Sequence, residues 1–338
     1  MSRSSIKFIF RRFLSATTIT LLIAFIALNW FARQSNELQQ RVYHWLDDYN
    51  YISYKLYYFS NNSASITDFM GLTGHDCVVE YKGRIPIRDL VVGGYPQSVR
   101  KDAIPAGSQY LKRTGFTLCY VPELRHPLWV ASKVHDGKRR LCTKRPSFKK
   151  DPVARNSPKP NDYAKSGYDR GHMAPNRAIT TCYGPDAQKE TFLLSNICPQ
   201  RPGLNRGPWR KTEHLITDIW PSKHGNIWVI TGAHSSSSPK KLPSGISIPD
   251  GFYKIILARK NHKIRVLAIY MNQDSGYGVF PRNRIVSVDK LEKMTGLDFL
   301  SELPDEIEQQ LESQTPTRLW SADFRGNIKL LLAHFKSY

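Results

Sequence analysis

From residue 77 onward the chain breaks into short apolar runs separated by Gly, Pro, Asn and Asp. Runs of this length, rich in Val, Ile and aromatic residues and bounded by turn formers, predict strands. Residues 116–121 and 128–134 read as a hairpin across a Pro-containing turn. Residues 227–231 read as a buried strand ending at Gly232, and 252–258 with 264–271 as a second pair. Helical signals are sparser. Ser287 is placed to cap a short helix that Gly296 terminates, and Pro304 opens another that runs through Leu311. Strands and helices mix without a regular β-α-β alternation, which predicts an α+β class.

The pattern changes upstream. Leu38, Val42, Trp45, Leu46, Tyr49 and Ile52 recur at helical spacing and give one apolar stripe, broken by Ser60-Asn61-Asn62-Ser63. Residues 13–32 carry no charge. As a helix rising ~1.5 Å per residue they cover roughly the 30 Å hydrocarbon core of a bilayer. Four basic residues precede this segment and one follows, so residues 1–12 are expected to stay on the cytoplasmic side. Asn29-Trp30-Phe31 offers no small-residue cleavage pattern, which favours an uncleaved anchor. The expected organisation is a basic tail (1–12), a transmembrane signal anchor (13–32), an amphipathic connector (33–76) and one domain (77–338). This places the domain outside the cytoplasm on a single-pass inner-membrane anchor. The acid-free, Arg-bearing start allows an alternative, a mitochondrial inner-membrane protein facing the intermembrane space.

Charge sharpens the picture. The formal net charge is +21 with a sequence pI near 9.8, and 41% hydrophobic residues are enough to fill a core. A chain this basic expects a polyanion, either nucleic acid or an acidic membrane surface. Residues 138–155 concentrate the charge: Lys138, Arg139, Arg140, Lys144, Arg145, Lys149, Lys150 and Arg155 stand against one acid, Asp151. Such a run is commonly a solvated face, yet its position just before the motif described next favours a track for backbone phosphates. Five cysteines (Cys77, Cys119, Cys142, Cys182, Cys198) lack metal-site spacing. They read equally well as one or two disulfides with a thiol over, or as buried small apolar residues.

The chemistry concentrates in Tyr168-Asp169-Arg170-Gly171-His172-Met173-Ala174-Pro175-Asn176. Gly171 permits close backbone approach, Arg170 can hold a phosphate, and an imidazole with a pKa near ~6.5 suits a base that takes a proton from water. Further on come Ser195-Asn196-Ile197-Cys198-Pro199-Gln200, then Leu204-Asn205-Arg206-Gly207-Pro208-Trp209 and Glu213. Amide and carboxylate oxygens make a poor zinc site but suit a hard ion such as Mg²⁺. Asn205 and Glu213 stand eight residues apart, ~80° around a regular helix, so one direct ligand with one more distant supporting group is expected. If Asn205 opens that helix, Pro208 falls in its first turn, where the missing N–H costs little.

Taken in order, these segments resemble the DNA/RNA non-specific endonuclease family, which belongs to the ββα-metal superfamily. The resemblance extends to Val229-Ile230-Thr231-Gly232 and Met294-Thr295-Gly296-Leu297. It implies a ββα-metal core with a mixed, mainly antiparallel sheet, and a nuclease that cuts DNA and RNA to 5′-phosphate products. By that resemblance His172 matches the general base, and Asn205 the direct ligand of one Mg²⁺, for which Mn²⁺ is a substitute. Glu213 matches a carboxylate holding the ion through water. Asp169 and Asn196 match supporting residues, Arg170 the motif arginine and Arg145 a transition-state arginine. Lys138, Arg139, Arg140, Lys144, Lys149 and Lys150 are the expected nucleic-acid contacts, and a homodimer fits the same resemblance. Thr212, where the family usually has leucine, and Ala233-His234 depart from its pattern without touching these positions. The competing reading is a nucleic-acid binding or uptake protein with an inactive nuclease domain. A third, a phosphodiesterase for small or lipid substrates, is disfavoured by the basic run.

Overall fold

The computed structural model describes residues 75–136 and 144–320. The basic tail, the anchor, nearly all of the connector, and Lys138, Arg139, Arg140 and Cys142 lie outside the described residues. Among the described residues no helix is long and apolar enough to cross a membrane.

Strand β1 (Cys77–Glu80) is followed by three two-residue strands, β2 (Ile87–Arg88), β3 (Val91–Val92) and β4 (Gln97–Ser98). Then come β5 (Gln109–Lys112), β6 (Phe116–Val121), β7 (His126–Val134), β8 (Asp169–His172) and β9 (Ile197–Gln200). The remainder are β10 (Ile227–His234), β11 (Gly251–Lys260), β12 (Lys263–Asn272), β13 (Ile285–Val286) and β14 (Leu297–Asp298). An eight-stranded sheet runs in the order β1-β12-β11-β10-β7-β6-β5, with β13 beside β12. Every strand pair in it is antiparallel, so the expected mixed sheet is not mixed among the described strands.

Both faces of this sheet are covered, which explains why its central strands read as unbroken apolar runs. Ile227 and Val229 of β10 and Phe252 and Ile256 of β11 join one core cluster with Met173, Cys198, Leu204 and Trp209. Their neighbours Trp228, Ile230, Tyr253 and Ile255 join another cluster with Val288, Leu291 and Leu311. The segments holding Met173, Cys198 and Leu204 therefore belong to one face and the C-terminal helices to the other.

The helices are α1 (Asn176–Tyr183), α2 (Pro185–Thr191), the run α3 (202–224), α4 (Val288–Thr295) and α5 (Asp305–Glu312). The caps read from sequence are present: Ser287 Oγ accepts from the Lys290 N–H at 3.2 Å, Gly296 closes α4 with φ 72°, and Pro304 precedes α5. Boundaries differ by one to three residues: β7 starts at His126, β11 spans Gly251–Lys260 and β12 spans Lys263–Asn272. β10 does not stop at Gly232 but continues to His234. A Cβ at Gly232 would lie 1.9 Å from the Tyr253 ring, so this glycine admits the tyrosine rather than ending the strand. Cys77, Cys119, Cys182 and Cys198 are all free thiols, three of them buried, in line with the packing role rather than disulfides.

Asp151 ties the basic segment to the fold. Its carboxylate is fully buried, accepts from the Arg113 guanidinium at 2.5 Å and from Ser195 Oγ, and caps the Val153 N–H at 3.1 Å. Truncating it strands a largely buried arginine charge. Asp151→Ala is expected to cost about 3–5 kcal/mol in urea unfolding, whereas a cost below ~1 kcal/mol would mean the pair is dispensable.

Candidate active site

β8 and β9 pair antiparallel, with Asp169 opposite Gln200, Gly171 opposite Cys198 and His172 opposite Ile197. This small ribbon leads directly into α3 and supplies two strands and a helix in succession. Gly171 is required by its neighbour: a Cβ there would lie 2.1 Å from Gln200 Oε1, because the buried Gln200 side chain crosses the glycine.

The ribbon extends past His172 through Asn196. The backbone carbonyl of Asn196 accepts from the Met173 N–H at 3.0 Å. Its side-chain Oδ1 accepts from the Ala174 N–H at 2.9 Å, and its Nδ2 donates to Ala174 O and Thr191 O at 3.2 and 3.0 Å. Asn196 is fully buried and committed to these bonds. It holds the chain beside His172 and offers nothing to a ligand.

His172 sits between two aromatic walls, with Phe192 at 4.9 Å, nearly edge-on, and Phe148 at 5.4 Å. Phe148 comes from the basic segment, which docks there by its backbone. The Lys149 N–H donates to Phe192 O at 3.0 Å, and the Leu194 N–H to Lys149 O at 2.8 Å. Both flanking arginines stack on the same walls, Arg145 over Phe192 at 5.4 Å and Arg170 over Phe148 at 5.1 Å. Arg170 also donates to Pro160 O at 3.1 Å. Lys144, Arg145, Lys149 and Lys150 are exposed, so the described half of the basic run presents its charge to solvent next to the histidine. The imidazole's Nε2 is buried without a protein partner, while Nδ1 is neither buried nor bonded. Burial, and then the charge of Arg145, push the imidazole down to about 3.

Asp169, at the other end of β8, accepts from Asn205 Nδ2 at 2.9 Å and holds Arg206 by two bonds of 2.9 and 2.7 Å. One N–H of the Asn205 amide is thereby used, and its Oδ1 remains an open acceptor. Asn205 does not open the helix: α3 begins at Pro202 and widens to π geometry over Asn205–Trp209. Gly207 leaves helical geometry there (φ −98°, ψ −115°), and the wide turn takes up Pro208, which has no N–H to give. The ~80° offset of a regular helix therefore does not apply between Asn205 and Glu213.

Glu213 lies farther along α3. Its Oε1 is buried and makes no hydrogen bond, and the Lys254 ammonium stands 4.0 Å away. Burial raises the carboxyl of Glu213 and lowers the ammonium of Lys254, each opposed by the other's charge. Lys254 is fully buried, bonded to Thr231 Oγ1 at 3.0 Å and stacked on Trp209 at 4.2 Å. It was legible in outline as a lone lysine within an apolar strand, at the same parity as Phe252 and Ile256. Gln200 and Arg206 stand inside the quoted motif segments without a role of their own being legible, and Phe148 carries no local signal.

The fold, this ribbon–helix arrangement and the comparisons with known proteins agree. The family model described as "DNA/RNA non-specific endonuclease" matches residues 97–306.

The chain belongs to the DNA/RNA non-specific endonuclease family.

Its relatives include "Nuclease" of Nostoc sp., 27% identical over 233 residues, covering 65% of this chain and 84% of that protein. "Endonuclease G, mitochondrial" of Homo sapiens is 30% identical over 221 residues, covering 59% of this chain and 72% of that protein. Among solved structures, the crystal structure of the EndoG/EndoGI complex superposes with a TM-score of 0.54 at 24% identity. The match covers 59% of this chain and 89% of that one, and it supports the fold. Family membership makes the chain a nucleic-acid endonuclease on an α+β frame.

Proposed function

We propose that the chain is a membrane-anchored, sugar-non-specific endonuclease that hydrolyses DNA and RNA phosphodiesters to 5′-phosphate products, with His172 as general base and one Mg²⁺. The observation that carries this is the setting of His172: an imidazole set between Phe148 and Phe192, with Nδ1 open and exposed cationic side chains beside it.

The donor set fits a hard divalent ion. Asn205 offers an uncommitted carbonyl oxygen, and Glu213 keeps a buried carboxylate oxygen without a hydrogen-bond partner. Neither forms part of a sulfur or histidine cluster that would favour zinc. Asn205 would hold Mg²⁺ directly and Glu213 through water; when bound, the ion neutralises charge on the phosphate and the leaving 3′-oxygen. His172 Nδ1 takes the proton of a water directed at phosphorus. Arg145 and Arg170 donate hydrogen bonds to the phosphate oxygens as charge builds, and fixed donors of this kind are worth roughly 3–4 kcal/mol. Asp169 orients the Asn205 amide. Lys144, Lys149 and Lys150, together with Lys138, Arg139 and Arg140, contact backbone phosphate, which carries no base information and so gives broad cleavage.

The full chain in detergent should convert supercoiled plasmid to nicked and linear forms with Mg²⁺, degrade RNA, and stop when EDTA is added. Salt-sensitive binding without cleavage would instead support the inactive-binder reading. The anchor rests on residues 13–32. Relatives named as mitochondrial are consistent with the mitochondrial alternative, and the relative from Nostoc sp. with a bacterial setting. Carbonate extraction should leave the chain in the membrane pellet, and its release would remove the anchor.

A further inference from the structure

On the face of the sheet away from the catalytic ribbon, three carboxylates meet. Asp289 and Glu292 stand one turn apart on the same side of α4, and Glu312 ends α5. One oxygen from each lies within 4.8 Å of the others. Two oxygens on opposite sides of a Ca²⁺ ion, each ~2.4 Å from it, are about this far apart.

The decisive group is Glu312. It is 5% exposed, and its Oε1 is buried with no hydrogen-bond partner. The charges acting on it most strongly, Glu292, Glu308, Asp298 and Asp289, are all acidic. It also sits at the C-terminal end of its helix, where the backbone dipole disfavours an anion, and no basic residue occupies that last turn. The chain carries a net charge of +21, yet among the described residues no Lys or Arg forms an ion pair with any of the three. Glu292 spends Oε1 on the Phe299 N–H at 2.9 Å, which fixes the carboxylate and leaves its second oxygen available. A buried, unpartnered carboxylate surrounded by acids is costly unless it takes up a proton, towards which its burial pushes it, or a cation joins it.

We propose that Asp289, Glu292 and Glu312 form a second, structural divalent-cation site, suited by its all-oxygen ligands and spacing to Ca²⁺, that clamps α4 to α5 and takes no part in cleavage.

The test uses the full chain in detergent, stripped with EDTA and then melted with and without about 1 mM CaCl₂, a concentration that fills sites of modest affinity. Wild type should gain about 5 °C or more with Ca²⁺. Glu312→Gln should lose that gain and melt above the wild type in EDTA, because the repulsion is relieved. Should Glu312→Gln fail to fold, Asp289→Asn, a partly exposed position, should likewise lose most of the gain. Equilibrium dialysis separates this site from the catalytic one: Asn205→Ala should still retain one Ca²⁺ per chain. A wild-type melt unmoved by Ca²⁺, an undiminished gain in the triad variants, or no ion retained by Asn205→Ala would each overturn the assignment.

Discussion

His172→Ala is expected to slow plasmid cleavage by about two to four orders of magnitude while leaving nucleic-acid affinity within a few-fold of wild type. The two readouts separate because the imidazole and the cations do different work. Lys144, Arg145, Lys149 and Lys150 are exposed, and in the proposed assignment they supply the attraction to phosphate while the ring supplies the basic nitrogen. Cleavage undiminished in the variant would remove His172 from the role of base.

The pH profile carries a second, independent signature. Burial first, and Arg145 second, hold the imidazole down to about 3 instead of its ordinary value near 6.5. A base works unprotonated, so the acid limb of kcat/KM is expected well below pH 6.5, and Arg145→Ala should shift it upward by removing a like charge. The same depression acts on stability. In the unfolded chain the ring takes a proton as pH falls through 6.5, while the folded ring refuses it until about 3. Stability from His172 is therefore present above pH 6.5 and is lost progressively as pH drops towards 3.

What could be read in advance follows the range of the interactions. The 168–176 motif, the apolar runs of the central strands and the Ser287 and Gly296 caps show in composition and spacing over a few residues, even where their partners lie far along the chain. Gly232 was misjudged because the reason for a glycine lies on the adjoining strand, in the Tyr253 ring. The helix around Asn205 was expected to be regular, since nothing in Asn205-Arg206-Gly207-Pro208 distinguishes a first turn from an internal wide turn. Phe148 closing on His172 was hidden inside a run whose only visible property was charge. The acidic triad was hidden more deeply. Asp289, Glu292 and Glu312 are spread over two helices whose polar residues look like ordinary solvated faces until α4 and α5 pack together.

The sharpest separation of roles is expected at Asn205. Asn205→Ala removes both halves of the amide: the Nδ2 that donates to Asp169 and the Oδ1 assigned to the ion. Loss of about two orders of magnitude or more in Mg²⁺-dependent cleavage is expected on the scale of a lost transition-state interaction, without telling the halves apart. Asn205→Asp tells them apart. It keeps an oxygen ligand but sets a carboxylate against Asp169 Oδ2, 2.9 Å from the present nitrogen, so the two acids must repel or share a proton. That variant should remain strongly impaired. Exchanging the partners, Asp169→Asn with Asn205→Asp, restores one donor facing one acceptor and keeps an oxygen at position 205. The exchange sacrifices the two bonds from Arg206, so recovery should be partial, roughly tenfold over Asn205→Asp. Higher Mg²⁺ should rescue the exchanged enzyme and leave Asn205→Ala inactive. Wild-type activity in all three variants would show that neither half of the Asn205 amide matters, and would take the ion away from this helix.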